Sequence, residues 1–155
     1  MKQRIYIDTS VIGGYFDEEF SADTIPFFES VKKGEKTIII SDLLEAELLR
    51  APDFVRALLP GIPEQQIEKV SLSPEAIELA DKYIEAKVVG ITSRADCQHI
   101  AIATLCGADV LVSWNFKHIV NLDRIRGYNS INFQTGQNIL EIRTPKEITK
   151  YGNED

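Results

Sequence analysis

The feature that most limits the fold is an alternation of short apolar runs with capped helical stretches. Three runs, RIYID (4–8), TIIIS (37–41) and DVLVS (109–113), are rich in β-branched residues. They are continuously apolar rather than alternating with polar residues, so they suit strands covered on both faces, as in a parallel sheet. Weaker strand signals lie at 67–72 and 139–143. Between them the sequence predicts helices. One spans 23–33, with Asp23 or Thr24 as cap, Pro26 in the first turn and Gly34 closing it. Others span 42–50, ending before Pro52, and 53–59, ending in Pro60-Gly61. Two more follow, 74–86 after the cap Ser73 and 94–106 after the cap Ser93, the latter stopped by Gly107. From Ser10 a short helix or loop is expected, loosened by Gly13-Gly14. Strands alternating with helices imply right-handed crossovers. The expected fold is α/β: a three-layer α/β/α sandwich with a mostly parallel, Rossmann-like central sheet. No linker-like stretch divides it, so residues 1–150 read as one domain and 151–155 as a short acidic tail. In such folds ligands bind beyond the carboxyl ends of the strands.

Composition narrows the function classes. Of 155 residues, 44% are hydrophobic and 26% charged, and no apolar run approaches the length of a membrane helix. With no signal-like N-terminus, a cytoplasmic protein is expected. Cys97 and Cys106 fall in one predicted helix, too far apart to bridge, and no Cys/His cluster has zinc spacing. The net charge of −7 argues against broad nucleic-acid binding, but it is unevenly spread. Residues 1–109 carry −8 and residues 110–150 carry +3. The C-terminal quarter is therefore locally basic.

Several polar residues fall at the expected strand ends. Asp8 ends the first run, and Ser113-Trp114-Asn115 ends the third. Glu47 and Asp96 lie on helices that leave or approach the same edge. Each has an ordinary explanation when taken alone. Asp42 and Glu45 have the spacing of a capping box. Glu47 shares a face with Leu43 and Leu44, on an apolar stripe or at its border. Asp96 fits a first-turn dipole complement, and His99 one turn later either pairs with it or packs. Asn115 fits a turn. Together, however, they converge on one edge of one sheet. Carboxylates sharing a cleft repel and raise each other's pKa, which a hard divalent cation relieves. Mg²⁺ or Mn²⁺ prefers oxygen ligands, and such ions support phosphodiester hydrolysis without Cys or a catalytic His.

These residues resemble the PIN domain, in particular the VapC-type ribonuclease toxins of prokaryotic toxin–antitoxin systems. The matching pieces are IYIDTSVI at the N-terminus, ISDLLEAEL at 40–48 and DCQHIAIATLCGADVLVSWNFKHIV at 96–120, in that order. The resemblance implies metal-site acids at Asp8, Glu47 and Asp96, with Glu45 as the alternative should the register shift by two. Asn115 falls where many members carry a fourth acid; an amide oxygen can coordinate but adds no charge, which implies weaker occupancy of a second metal. The resemblance further implies Mg²⁺- or Mn²⁺-dependent endoribonuclease activity, a homodimer and a small antitoxin protein. Ser10 beside Asp8 would support the carboxylate or cap the next helix. Arg94, Lys117, His118, Arg124 and Arg126 are candidates for RNA phosphates or plain surface charge, and Trp114 and Phe116 for base stacking or core packing.

Two rival readings meet specific obstacles. A haloacid-dehalogenase-type phosphatase needs a second aspartate two residues after the first, where this chain has Ser10. A nucleotide-binding Rossmann domain needs a glycine-rich loop that Gly13-Gly14 does not supply. A PIN-like module that binds RNA or protein without cutting is the alternative that fits the same residues.

Overall fold

The computed structural model describes residues 2–152. Five strands alternate with helices in the order β1 (Arg4–Ile7), α1 (Thr9–Gly14), α2 (Ser21–Lys32), β2 (Thr37–Ser41), α3 (Asp42–Leu48), α4 (Asp53–Arg56), β3 (Ile67–Val70), α5 (Pro74–Glu85), α6 (Arg94–Leu105), β4 (Val110–Val112), α7 (Leu122–Gln134), β5 (Ile142–Arg143) and α8 (Pro145–Gly152). All strand pairs are parallel, and the sheet order is β3-β2-β1-β4-β5. The chain therefore builds outward from β1 to β3 and then returns to lay β4 on the other side of β1. That reversal puts the topological switch between β1 and β4, where Ile5 faces Val110 and Ile7 faces Val112.

The apolar runs explain the three layers. Successive strand residues point to opposite faces. Ile5, Ile7, Ile38, Ile40, Val110 and Val112 meet Val11, Ile12, Phe27, Phe28, Val31 and Leu44 from α1, α2 and α3. Tyr6, Ile39, Leu111 and Ile142 meet Leu79, Ala80, Tyr83, Cys97, Ile100 and Tyr128 from α5, α6 and α7. The central strands β1, β2 and β4 are thus apolar through their interiors, whereas the edge strand β3 carries Glu68 and Lys69. Among the described residues no helix is long and apolar enough to cross a membrane.

Several local expectations are corrected. Asp42 and Glu45 do not form the capping box of α3. Ser41, at φ −109° and ψ 161°, is the cap, and its Oγ accepts the Leu44 N–H at 3.2 Å. The Asp42 carboxylate instead accepts the Leu72 N–H at 2.8 Å, joining α3 to the chain after β3. Helix α2 starts two residues early, after Phe20, without a side-chain cap, so Pro26 lies in its second turn. Ser93 precedes α6 but does not cap it through its side chain; a 3-10 turn over Ile91–Ser93 leads in instead. The expected strand at 139–143 narrows to β5. Helix α8 was not anticipated, although Thr144 and Glu147 bond reciprocally as a capping box at its start. Of the expected tail 151–155, residues 153–155 lie outside the described residues and Tyr151–Gly152 fall within α8.

Gly13 and Gly14 end α1 rather than merely loosening it, and Gly14 has a packing reason. A Cβ there would sit 2.7 Å from the Trp114 ring, whose Nε1–H donates to Thr24 Oγ1 at 2.9 Å. Gly14→Ala is expected to destabilise the protein by about 1–3 kcal/mol through overpacking. Gly13→Ala, where a Cβ meets nothing within 4 Å, should stay close to wild type. Urea denaturation of the two variants checks the contrast.

Candidate functional site

Asp8 follows β1 at the switch point, in extended backbone just before α1. It is only 4% exposed. Both carboxylate oxygens are held: Ser10 Oγ–H donates to Oδ1 at 2.6 Å, and Ser113 Oγ–H, from the end of β4, donates to Oδ2 at 2.6 Å. Ser10 and Ser113 are themselves tied into the turn after β4. Ser10 Oγ accepts the Trp114 N–H at 2.9 Å, and Ser113 Oγ accepts the Asn115 N–H at 2.9 Å. Of the two roles open to Ser10, its hydroxyl takes the support of the carboxylate. Burial pushes the Asp8 carboxyl above the ordinary range, against the opposing pull of His99, both serines and the Val11 N–H.

Glu47 projects from α3. Thr9 Oγ1–H and His99 Nε2–H both donate to its Oε1, each at 2.7 Å. Partial burial pushes the Glu47 carboxyl up, but the His99 and Thr9 donors more than offset this and hold it below the usual range. His99 is 3% exposed and lies on α6. It pairs with Glu47 on a different helix, and no hydrogen bond joins it to Asp96 among the described residues. Behind it, the Tyr6 hydroxyl lies 2.7 Å from Nδ1 and donates to Ser41 Oγ at 2.8 Å.

Asp96, in the first turn of α6, is half-buried and has no hydrogen-bond partner among the described residues. Burial raises its carboxyl pKa first, and the nearby Asp8 and Glu47 charges raise it further, against His118 and His99. The three acids therefore share one electrostatic environment at the carboxyl edge of the sheet. Glu45 does not join them; it lies 3.9 Å from Lys69 Nζ. Asn115 stands in the turn after β4, where its Oδ1 accepts the His118 N–H at 3.0 Å.

The surrounding candidates separate. Trp114, at 8% exposure, is core, stacked on Phe20 at 4.5 Å between centroids. Phe116 is 50% exposed. Arg94 is engaged by Asp81, and Arg124 donates to the Val88 carbonyl. Lys117 and Arg126 are exposed and make no ion pair among the described residues. His118 Nδ1 is buried without a hydrogen-bond partner among the described residues. Sequence reasoning missed Thr9, Tyr6, Ser41 and the role of Ser113. The signal was the hydroxyl at each strand exit: Thr9 after β1, Ser41 at the end of β2 and Ser113 after β4.

The donor set fits a hard divalent cation chemically, since all three carboxylates offer oxygen and the Asp8 and Glu47 charges both act on Asp96. Among the described residues, no three His, Cys, Asp or Glu side chains are gathered so as to hold an ion at one point.

No protein-family model and no curated protein matches the sequence. Solved structures do match in fold. VapBC2 from Rickettsia felis, bound to a DNA fragment from its promoter, aligns at TM-score 0.56 and 17% identity, over 92% of this chain and 98% of that one. Tyrosyl-tRNA synthetase from Aeropyrum pernix aligns at TM-score 0.50 and 10% identity, over 93% of this chain and 52% of that one. Both likenesses are of fold, the three-layer α/β/α arrangement around a parallel sheet.

The raised Asp96 pKa has a stability consequence. The ionised form is less favourable in the folded chain than in the unfolded one. Its contribution is therefore greatest below the unfolded carboxylate pKa and is lost as pH rises through the folded value. Asp96→Asn should accordingly stabilise the protein at pH 7 by on the order of 1 kcal/mol, a few degrees in Tm. The gain should vanish below about pH 4. Thermal melts of both proteins from pH 3 to 8 test this; a gain that persists at pH 3 would contradict the electrostatic origin.

Proposed function

We propose that this protein is a metal-dependent endoribonuclease, a VapC-type toxin of a toxin–antitoxin pair. The observation that carries the reading is the convergence of Asp8, Glu47 and Asp96 on the carboxyl edge of the sheet beside the β1–β4 switch, where the Asp8 and Glu47 charges both act on Asp96. On this reading Asp8, Glu47 and Asp96 hold Mg²⁺ or Mn²⁺, with Asn115 a weaker ligand because its amide oxygen also serves the His118 N–H. The ion supplies a polarised water and neutralises charge on the phosphodiester. The chain's own residues do the rest. Ser10 and Ser113 fix the Asp8 carboxylate, and Thr9 and His99 fix Glu47. The exposed Lys117 and Arg126 offer cations to RNA phosphates, with His118 beside Asp96. Arg94 is a weaker candidate because Asp81 already engages it.

The fold likeness to VapBC2 supports a small antitoxin protein as partner, and the same reading carries a homodimer and a cytoplasmic location. A second reading, a PIN-like module that binds RNA or protein without cutting, is favoured by Asn115 in place of an acid and by the ungathered acids.

Pure protein incubated with a mixed RNA panel separates the two. Cleavage is expected with Mg²⁺ or Mn²⁺ and not with EDTA. Asp8→Asn and Asp96→Asn should each reduce it by at least about a hundredfold, the scale set by removing an active-site electrostatic group. Unchanged cleavage by both variants would sink the site assignment. RNA retention without cleavage would establish the binding module instead.

A further inference from the structure

Glu47 is the one acid of the site whose two oxygens are treated differently. Oε1 receives Thr9 Oγ1–H and His99 Nε2–H, both at 2.7 Å, and no hydrogen bond reaches Oε2 among the described residues. The side chain is 34% exposed, whereas that of its partner His99 is 3% exposed. A buried ring thus reaches out to a carboxylate at the solvent edge.

The ring itself has no freedom to turn. Nε2 is engaged by Glu47, and Nδ1 lies 2.7 Å from the Tyr6 hydroxyl. That hydroxyl donates to Ser41 Oγ, which also accepts the Leu44 N–H capping α3. The Tyr6 ring packs edge-on to the imidazole, with centroids 5.8 Å apart and planes at 60°. A flip of the imidazole would replace a nitrogen by a carbon at both contacts and leave the Tyr6 and Glu47 groups without their partner. The chain Ser41–Tyr6–His99 links β2, β1 and α6, and it ends on α3, the helix that Ser41 starts. The same serine therefore fixes the start of the helix and the far end of the relay that holds its glutamate.

We infer that His99, backed by Tyr6 and Ser41, is a positioning residue that clamps Glu47 through Oε1 and leaves Oε2 as the single oxygen this carboxylate offers to a cation. The inference rests on the metal-dependent reading proposed above. A network that served folding alone would need no partly exposed carboxylate at its end. Support of this kind around metal-binding carboxylates changes affinity by roughly 10–100-fold when it is removed.

The test compares wild type with His99→Phe, His99→Gln and Tyr6→Phe. Mn²⁺ binding without RNA is followed by the electron paramagnetic resonance signal of the free ion, beside thermal midpoints. His99→Phe should weaken Mn²⁺ binding by about tenfold or more. His99→Gln, whose amide N–H can take the place of Nε2–H, should recover most of the affinity even where its midpoint is as low as that of His99→Phe. Tyr6→Phe should fall between. Equal affinity in wild type and His99→Phe overturns the inference. Should His99→Phe fail to fold, unchanged affinity in Tyr6→Phe overturns it as well. A metal-free arm separates this from the activity reading. Proton NMR should show a protected downfield His99 Nε2–H resonance that disappears in Glu47→Ala. If wild type binds no Mn²⁺ but shows that resonance, the metal reading falls and the clamp stands. If wild type lacks the resonance, the clamp falls whatever the metal does.

Discussion

A buried carboxylate between two strands organises this molecule. Asp8 leaves β1 where β4 has just been laid beside it, and its oxygens hold one hydroxyl from each side, Ser10 and Ser113. Burying a charged group without partners costs several kcal/mol or forces it to neutralise. The two serines satisfy the carboxylate, and each then accepts a backbone N–H from the turn after β4. The carboxyl group thus ties α1 to the β4 exit, and the position of Trp114 and Asn115 follows from it. Trp114 in turn packs over Gly14 and bonds Thr24, which carries the constraint into α2.

The strands were legible because their burial is two-sided. TIIIS matches β2 residue for residue, and DVLVS contains β4, because a strand covered on both faces must be apolar throughout. Caps were harder. Asp42 looks like the cap of α3, but the strand delivers Ser41 in extended backbone with its hydroxyl already aimed at the Leu44 N–H, so Asp42 is left to bond across to Leu72. Helix α8 carried a readable signal in Thr144 and Glu147, whose spacing is that of a capping box. The acids at the strand ends were visible in the sequence because topology alone sends those ends to one edge. Which hydroxyl or imidazole holds each acid was not visible. The partners are 38 to 105 residues apart for Thr9–Glu47, His99–Glu47 and Ser113–Asp8, and only the sheet order brings them together.

His99 shows how spacing along a helix misleads. One turn from Asp96, it invites a pairing within α6. Yet α6 packs with this face toward the sheet, so the ring meets Tyr6 from β1 and Glu47 from α3. A neutral partner on its inner nitrogen and a carboxylate on its outer one suit a buried imidazole better than the aspartate nearest in sequence. Tertiary contact decided the partner, and local spacing supplied only a candidate.

The three acids are therefore not equivalent. Asp8 is satisfied at both oxygens, Glu47 at one, and Asp96 at neither among the described residues. The opposing directions follow: the donors on Glu47 hold its pKa down, whereas burial and the charges of its two neighbours push Asp96 up. A fold selected only for stability would neutralise or pair Asp96, since replacing it removes a cost and breaks no hydrogen bond among the described residues. An unpaired carboxylate beside two others at the switch of a parallel sheet is a local conflict of the kind that marks sites kept for chemistry rather than for packing. On the metal-dependent reading, graded support, from fully held to unheld, gives the site one rigid anchor and one ligand able to adjust to an arriving cation.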